Sequence, residues 1–148
     1  MPRIIEITNS AGQVTQPDWL VRAESVHRQL RPHLLDYAAQ LQAVFAGGGR
    51  MAVAVDGERV VGVTIWRHLL KTYTHEVYVD DLVTDEATRS TGVGRALLAW
   101  VERRARDLGC NSLSLDSGTQ RQQAHKFYFR EGLVVPSFHF AKPLTQAQ

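Results

Sequence analysis

The sequence is poor in the features that mark several large classes of protein. Its 148 residues include one cysteine, Cys110, which excludes an internal disulfide and a zinc site built from several cysteines. No apolar run approaches the roughly 20 residues that a membrane-spanning helix needs. The first apolar stretch carries charges at Arg3 and Glu6, unlike a secretory signal. These absences favour a cytoplasmic protein without a membrane partner.

An excess of charge of one sign is also missing. The chain has 17 Lys and Arg residues against 15 Asp and Glu residues, a formal charge of +2, and only three of the basic residues are lysines. So small an excess does not support binding to nucleic acid. We therefore expect no nucleic-acid partner.

The residues that are present predict one globular domain of mixed α/β class. A length of 148 residues with 44% hydrophobic and 22% charged residues is typical of one such domain, which we predict over residues 1–148. Apolar periodicity predicts, in order, a strand, two helices, three strands, a helix, a strand, a helix and a strand. Their approximate bounds are 3–8, 17–30, 32–45, 51–55, 60–66, 76–84, 93–108, 112–116, 122–131 and 134–141. Asp56 and Gly57 signal a hairpin turn, so part of the sheet is antiparallel.

The segment most informative about chemistry is 78–98, where a strand leads through a glycine-containing loop into a helix. Such a helix start offers backbone N–H groups and the positive end of the helix dipole to a phosphate. Gly92 and Gly94 let a phosphate approach the backbone. The nucleoside-triphosphate loop is excluded because Arg95 follows Gly94 where that loop needs lysine. The dinucleotide fingerprint is excluded because Leu97 takes the place of its third glycine.

A third phosphate-binding pattern fits. Arg89-x-x-Gly92-x-Gly94 resembles the coenzyme A pyrophosphate loop, Q/R-x-x-G-x-G/A, of the GNAT superfamily of N-acetyltransferases. Residues 115–133 resemble the strand and helix of that family that end in A-x-x-F-Y-x-x-x-G-F. The strand containing Gly62 is similar to a further family pattern.

The resemblance implies a fold and a co-substrate, acetyl-CoA. The fold is a GNAT-like mixed, twisted sheet with helices on both faces, whose central parallel strands, here 76–84 and 112–116, splay apart to admit the pantetheine arm. Backbone groups of 82–84 would bind the pantetheine, and amides of 90–95 would bind the pyrophosphate. Arg121 stands where many family members have asparagine, which leaves its role open. No metal is expected. The implied coenzyme-binding residues are Leu82, Val83, Thr84, Arg89, Ser90, Thr91, Gly92, Val93, Gly94, Arg95, Arg121 and Lys126.

The resemblance also implies a reaction, the transfer of acetyl from acetyl-CoA to a primary amine by direct attack in a ternary complex. The acceptor would be a small molecule or a peptide amine. Tyr128 matches the family tyrosine near the coenzyme sulfur, and a phenol, protonated at neutral pH, can donate to the departing thiolate. The backbone N–H of Val83 is the candidate donor to the oxyanion. Asp80 would accept the amine proton or bind a cationic substrate, with Glu76 and His75 as second choices.

Strand alternation predicts which of these side chains share a face. It places Glu76, Tyr78, Asp80 and Leu82 on one face, and Asp81 and Val83 on the other. We interpret Asp81 as a structural carboxylate. The acceptor pocket would form from the two N-terminal helices and the hairpin rim, with candidate lining residues Tyr37, Trp66, His68, Tyr73 and Glu76.

Other functions stay open at this point. The same coenzyme loop would serve a different acyl donor or O-acetylation, and it would serve an acyl-CoA-binding regulatory domain without transfer activity. The sequence also allows a homodimer in which residues 134–140 pair across the interface.

Overall fold

A five-stranded sheet with a single parallel pair organises the chain up to Leu115. The structure, a computed structural model, describes residues 2–89 and 91–145. Neighbouring strands are antiparallel except for the fourth and fifth, which are parallel. The mixed sheet confirms the predicted fold class. In spatial as in chain order the strands are β1 (Arg3–Glu6), β2 (Arg50–Asp56), β3 (Arg59–Leu70), β4 (His75–Thr84) and β5 (Ser112–Leu115).

In the part of the chain that the structure describes, four α-helices and one short 3-10 helix lie between or after the strands. Pro17 begins the first helix, where its missing N–H costs nothing. The second helix begins at Tyr37 rather than near residue 32, because the Asp36 side chain accepts a hydrogen bond from the N–H of Ala39 and caps it there. The helices are α1 (Pro17–Leu30), α2 (Tyr37–Ala46), α3 (Val93–Asp107) and α4 (Gln122–Arg130), and the 3-10 helix is Glu86–Thr88.

The sheet buries an apolar layer on each face. On one side, which we call the α1/α2 face, Ala23 and Val26 of α1 and Leu41 and Phe45 of α2 pack against β2 and β3. On the other, the α3 face, Val101 of α3 packs with strand residues that include Trp66, Val77 and Val79. Helices therefore cover both faces of the sheet, as predicted.

Gly62 brings β3 close to the start of α3. A Cβ atom added at Gly62 would lie 2.7 Å from Cδ1 of Leu97 and 2.8 Å from Cγ1 of Val93. Both distances are shorter than ordinary carbon contacts. The absence of a side chain at Gly62 therefore sets how closely the first turns of α3 approach the sheet.

The chain from Asp116 onward forms a second compact unit, which contains α4. The predicted strand over 134–141 is wrong, since the structure assigns no strand there. Val134, Val135, Phe138 and Phe140 are instead exposed, and Pro136 has no N–H for a strand ladder. A single domain and a homodimer through 134–140 stay predictions. Within 2–89 and 91–145, no helix has the length and apolar character needed to cross a membrane.

Candidate active site

A β-bulge at Asp80 places two neighbouring carboxylates on one side of the sheet. Ile65 of β3 pairs with Asp81, but the next residue, Trp66, pairs with Val79, so Asp80 is an extra residue in β4. Asp80 and Asp81 both line a cavity on the α1/α2 face. The alternation predicted for this strand holds through Asp80, which lines the cavity with Tyr78, and is wrong from Asp81 onward.

The bulge also exchanges the faces of the sheet on which the side chains of the following residues lie. Leu82 packs with the buried residues of the α3 face, and Val83 packs with those of the α1/α2 face. Sequence alternation counts every residue equally and so misses the inserted one.

The cavity has a volume of about 380 Å³ and draws its walls from α1, α2, β3 and β4. This size suits a small molecule. The lining combines apolar side chains with two carboxylates and an arginine. The lining residues are His27, Arg31, Leu34, Gln40, Leu41, Val44, Ile65, Tyr78, Asp80 and Asp81.

None of the five residues predicted to line the acceptor pocket lines this cavity. Tyr37 is buried beneath His27, and Trp66 packs against Trp100 on the α3 face. Tyr73 is 80% exposed in the turn before β4. Sequence reasoning selected aromatic residues and missed His27 in α1 and Arg31, the residue that caps the C-terminus of this helix.

Asp81 is held by a side chain of α1 and by the side chain of the residue that follows this helix. Its carboxylate accepts hydrogen bonds from Nε2 of His27 at 2.7 Å and from Nη2 of Arg31 at 2.6 Å. Burial alone would raise the pKa of Asp81, but these hydrogen bonds and the charge of Arg31 outweigh it and lower that pKa below its usual range. Asp81 is thus an ionised structural carboxylate whose partners are side chains.

The same network reaches α2 through His27. Nδ1 of this histidine, which is 1% exposed, lies 2.8 Å from the hydroxyl of Tyr37. Burial, reinforced by the negative charges of Glu24 and Asp81, raises the pKa of Tyr37 above its usual range. The phenol therefore stays protonated, and the network joins both helices to the bulge.

Asp80 has a different partner from Asp81. Its Oδ2 accepts a hydrogen bond from Nε of Arg67 at 2.8 Å, and Arg67 also donates to the carbonyl of Gly47 after α2. The Asp80 side chain is 24% exposed, against 11% for Asp81. Asp80 is therefore the carboxylate of this pair that a ligand in the cavity can more readily contact.

The second-choice bases, Glu76 and His75, lie elsewhere. Glu76 is buried, with Lys71 Nζ 2.6 Å from one oxygen and the Ser114 hydroxyl donating to the other. Burial would raise the pKa of Glu76, but the hydrogen bonds from Lys71 and Ser114 lower it overall. His75 contacts His68 rather than the cavity.

The edge of β4 that faces β5 opens where the bulge begins. β4 and β5 pair from Glu76 with Ser112 to Val79 with Leu115, and β5 ends there while β4 continues to Thr84. Among the residues that the structure describes, no strand pairs with this edge of β4 beyond Val79. That this edge binds the pantetheine arm stays a prediction.

Backbone alternation determines which N–H groups of β4 point at β3 and which point at the open edge. The N–H of Asp85 donates to the carbonyl of Val61, and the register continues through Val63 opposite Val83. Residues two apart in an antiparallel pair point the same way, so the Val83 N–H is directed at β3. Leu82 and Thr84 then direct theirs at the open edge, which argues against Val83 as the oxyanion donor.

The loop after β4 presents the start of α3 without a side-chain cap. Gly92 adopts a left-handed conformation, with φ of 89°, and provides no capping hydrogen bond. The amides of Val93 and Gly94 belong to the first turn, where N–H groups lack partners within the helix. Arg89 and Thr91 flank the residue, Ser90, that lies outside the described ranges. This helix start can receive an anion.

Arg95 lies in the first turn of α3, and the other predicted site residues lie in the second unit. Arg121 precedes α4, and Lys126 and Tyr128 lie within it. Burial raises the pKa of Tyr128, while the charge of Arg121 opposes that rise. The Tyr128 hydroxyl is accordingly protonated at neutral pH, the state that an acid requires.

The chain is similar to known acetyltransferases in sequence and in fold. The model of the Acetyltransferase (GNAT) family matches residues 14–132. The chain is 41% identical over 69 residues to the uncharacterized N-acetyltransferase YhdJ of Bacillus subtilis (strain 168). It is 38% identical over 66 residues to the aminoalkylphosphonate N-acetyltransferase of Salmonella typhimurium (strain LT2).

These sequence matches are partial, whereas the structural match is extensive. They cover 46% and 45% of this chain and 49% and 43% of the relatives, so the chain spans about half the length of the curated relatives it matches. An aminoglycoside acetyltransferase from an uncultured soil metagenomic sample has a similar fold, with a TM-score of 0.77 at 16% identity. That match covers 97% of this chain and 96% of the other.

Proposed function

We propose a function from one established premise: this chain belongs to the GNAT acetyltransferase family. Acetyl-CoA is the co-substrate typical of that family. The proposed activity is transfer of its acetyl group to a primary amine, by direct attack within a ternary complex.

The observation that carries this proposal is the join between the open edge of β4 and the start of α3. An unpaired strand edge can hydrogen-bond the amide groups of a pantetheine chain as an added strand would. The edge leads, through the 3-10 helix, to the uncapped N-terminus of α3, which suits a pyrophosphate. Leu82 and Thr84 would hold the arm, and Val93 and Gly94 would bind the phosphates.

The chemistry needs a donor to the oxyanion, an acid and a base. As the amine nitrogen attacks the thioester carbon, the Leu82 N–H donates to the carbonyl oxygen, in place of Val83. The C–S bond then breaks and Tyr128, by its family resemblance, protonates the thiolate. The amine proton passes to Asp80, directly or through a water molecule.

The cavity favours a small amine that also carries an anionic group. Asp80 is paired with Arg67 and Asp81 with Arg31, so each carboxylate that lines the cavity is balanced by a positive side chain. Such an arrangement suits a zwitterion, whose ammonium group meets Asp80 and whose anion meets Arg31. The substrate named for the Salmonella relative, an aminoalkylphosphonate, has this chemistry.

The test measures release of free coenzyme A thiol from acetyl-CoA across a panel of amines. The panel contains an aminoalkylphosphonate, an amino acid, a polyamine, an aminoglycoside and a lysine peptide. We expect turnover with an anionic amine, and loss of that turnover in Asp80→Asn. Asp56→Asn, at the exposed end of β2, is the matched control.

The same experiment decides between transfer and regulation. Acetyl-CoA binding by calorimetry without turnover on any acceptor would favour the regulatory acyl-CoA-binding domain. Turnover with the polyamine alone would overturn the proposed acceptor class and leave acetyl transfer intact.

A further inference from the structure

Three potential metal ligands converge at the other end of β4. His68 lies on β3, His75 begins β4, and Cys110 lies between α3 and β5. Their ligand atoms all lie within 4.8 Å of one another. The cavity begins at Tyr78, three residues further along β4, which is about 10 Å of strand. This cluster is therefore separate from the proposed acetyl-transfer site.

The strand register puts both histidines on the α3 face. His68 pairs with Val77 and Leu70 pairs with His75, so the two histidines are diagonal neighbours across β3 and β4. Val77 packs on the α3 face, and Cys110 packs with the same buried cluster. The thiol and both imidazoles therefore occupy one side of the sheet.

Backbone hydrogen bonds hold the cysteine loop against the start of β4. Gly109, with φ of 75°, reverses the chain at the end of α3, and the Cys110 N–H donates to the carbonyl of Ala105. The next residue, Asn111, donates its N–H to the carbonyl of His75 at 2.8 Å. The Asn111 side chain in turn accepts from the His75 N–H at 3.3 Å. These contacts fix Cys110 beside His75.

The geometry is close to that of a tetrahedral zinc site. The Nε2 atoms of His68 and His75 lie 2.7 Å apart. With Zn–N near 2.1 Å and Zn–S near 2.3 Å, tetrahedral ligands are separated by about 3.4 Å for two nitrogens and about 3.6 Å for nitrogen and sulfur. Side-chain movements of about 1 Å would admit the ion. His68 is exposed, which gives it that freedom.

We propose that His68, His75 and Cys110 form a binding site for a soft or borderline divalent cation, Zn²⁺ above all. Two imidazoles and a thiolate are the donor set that Zn²⁺ prefers over Mg²⁺ or Ca²⁺. Water completes the coordination on the exposed side of His68. The ion joins the hairpin of β3 and β4 to the start of β5, and it takes no part in acetyl transfer.

The site is tested on the full chain after removal of metal with a chelator. Zn²⁺ should bind in a ratio of one ion per chain, measured by elemental analysis after dialysis, and should raise the melting temperature. Co²⁺, used as a spectroscopic probe, should give visible ligand-field bands and a thiolate-to-cobalt charge-transfer band in the near ultraviolet.

Variants separate this site from adventitious binding. Cys110→Ser should abolish the charge-transfer band, and His68→Gln should weaken Zn²⁺ binding by at least about tenfold. His68 is exposed, so its replacement should leave folding intact, which circular dichroism checks. His33→Gln, an exposed histidine between α1 and α2, is the matched control and should bind as the parent does.

Three outcomes would overturn the proposal. They are no charge-transfer band with Co²⁺, Zn²⁺ binding that survives in both Cys110→Ser and His68→Gln, and binding lost in His33→Gln. A zinc-dependent acetyl-transfer rate would refute the assigned structural role. Acetyl-transfer activity in metal-free protein is measured separately, so failure of the zinc site leaves the proposed function standing.

Discussion

Gly62→Ala should destabilise the protein and weaken acetyl-CoA binding together, because one contact controls both. The new Cβ would lie 2.7 Å from Leu97 and 2.8 Å from Val93, and Val83 O would be 3.3 Å away. Carbon atoms pack at about 3.5–4.0 Å. The methyl group is therefore about 1 Å too close to two side chains of α3.

The loss of stability depends on whether the side chains in contact with the new methyl group can move. Leu97 is 0% exposed and Val93 is 5% exposed, so neither side chain has open space to enter. Overpacking of this kind costs about 1–3 kcal/mol. The alternative response, a shift of α3 away from β3, displaces the helix start that is proposed to bind the pyrophosphate.

Urea denaturation and calorimetry with acetyl-CoA measure the two effects. We expect the midpoint to fall by about 0.5–1.5 M urea with an unchanged slope. Leu97→Ala alone should cost about 2–5 kcal/mol. The double variant should cost at least about 0.5 kcal/mol less than the sum, since one of the two clashing side chains is gone. Strict additivity, or a Gly62→Ala protein as stable as the parent, would refute the close-packing argument.

The other predictions concern single groups of the site. Asp81→Asn should cost about 1.5–3 kcal/mol, since two charge-assisted hydrogen bonds are weakened. The folded-state pKa of Asp81 is lowered. The stability that the ionised carboxylate contributes is therefore complete above about pH 4 and is lost as the pH falls through the folded pKa. Denaturation midpoints of the variant and the parent should accordingly converge in acid. Gly92→Ala should lose about 1–2 kcal/mol of folding stability through strain at positive φ and should also bind acetyl-CoA more weakly. Gly109→Ala, at the opposite end of α3 with φ of 75°, is the control and should lose stability alone. Equal affinity of the two variants for acetyl-CoA would show that the loop at Gly92 is not part of the site. Tyr128→Phe should lower kcat about tenfold or more with acetyl-CoA affinity unchanged, and an unchanged kcat in steady-state assays would exclude the tyrosine as the acid.

Much of the fold follows from local sequence patterns. Pro17, the turn at Asp56 and Gly57, and Gly92 before α3 mark boundaries that the structure contains. The segment over 134–141 shows where such patterns fail. Its apolar residues and alternation resemble a strand, but a strand also needs a partner with free hydrogen-bonding groups, and local sequence carries no information about that partner.

The candidate site shows more clearly which features depend on local sequence and which depend on contacts between distant residues. The family and its phosphate loop could be recognised from the sequence because Gly92 and Gly94 act through backbone conformation, which is local. His27 and Arg31 could not be assigned to Asp81, since 50 or more residues separate them along the chain. Their pairing exists only because α1 packs across the end of β4.

The sequence by itself determined the order of elements through α4, the helix start that is proposed to bind an anion, and the resemblance to an acetyltransferase, since each depends on residues close together in the chain. Tertiary structure decided where the bulge at Asp80 lies and therefore which side chains of β4 share a face. By pairing Trp66 with Val79, the sheet turns two consecutive carboxylates to one face and reverses Leu82 and Val83. The same pairing of β3 and β4 sets His68 beside His75, with Cys110 completing the cluster. Neither arrangement can be derived from strand alternation, because a register between strands belongs to the pair and not to either sequence.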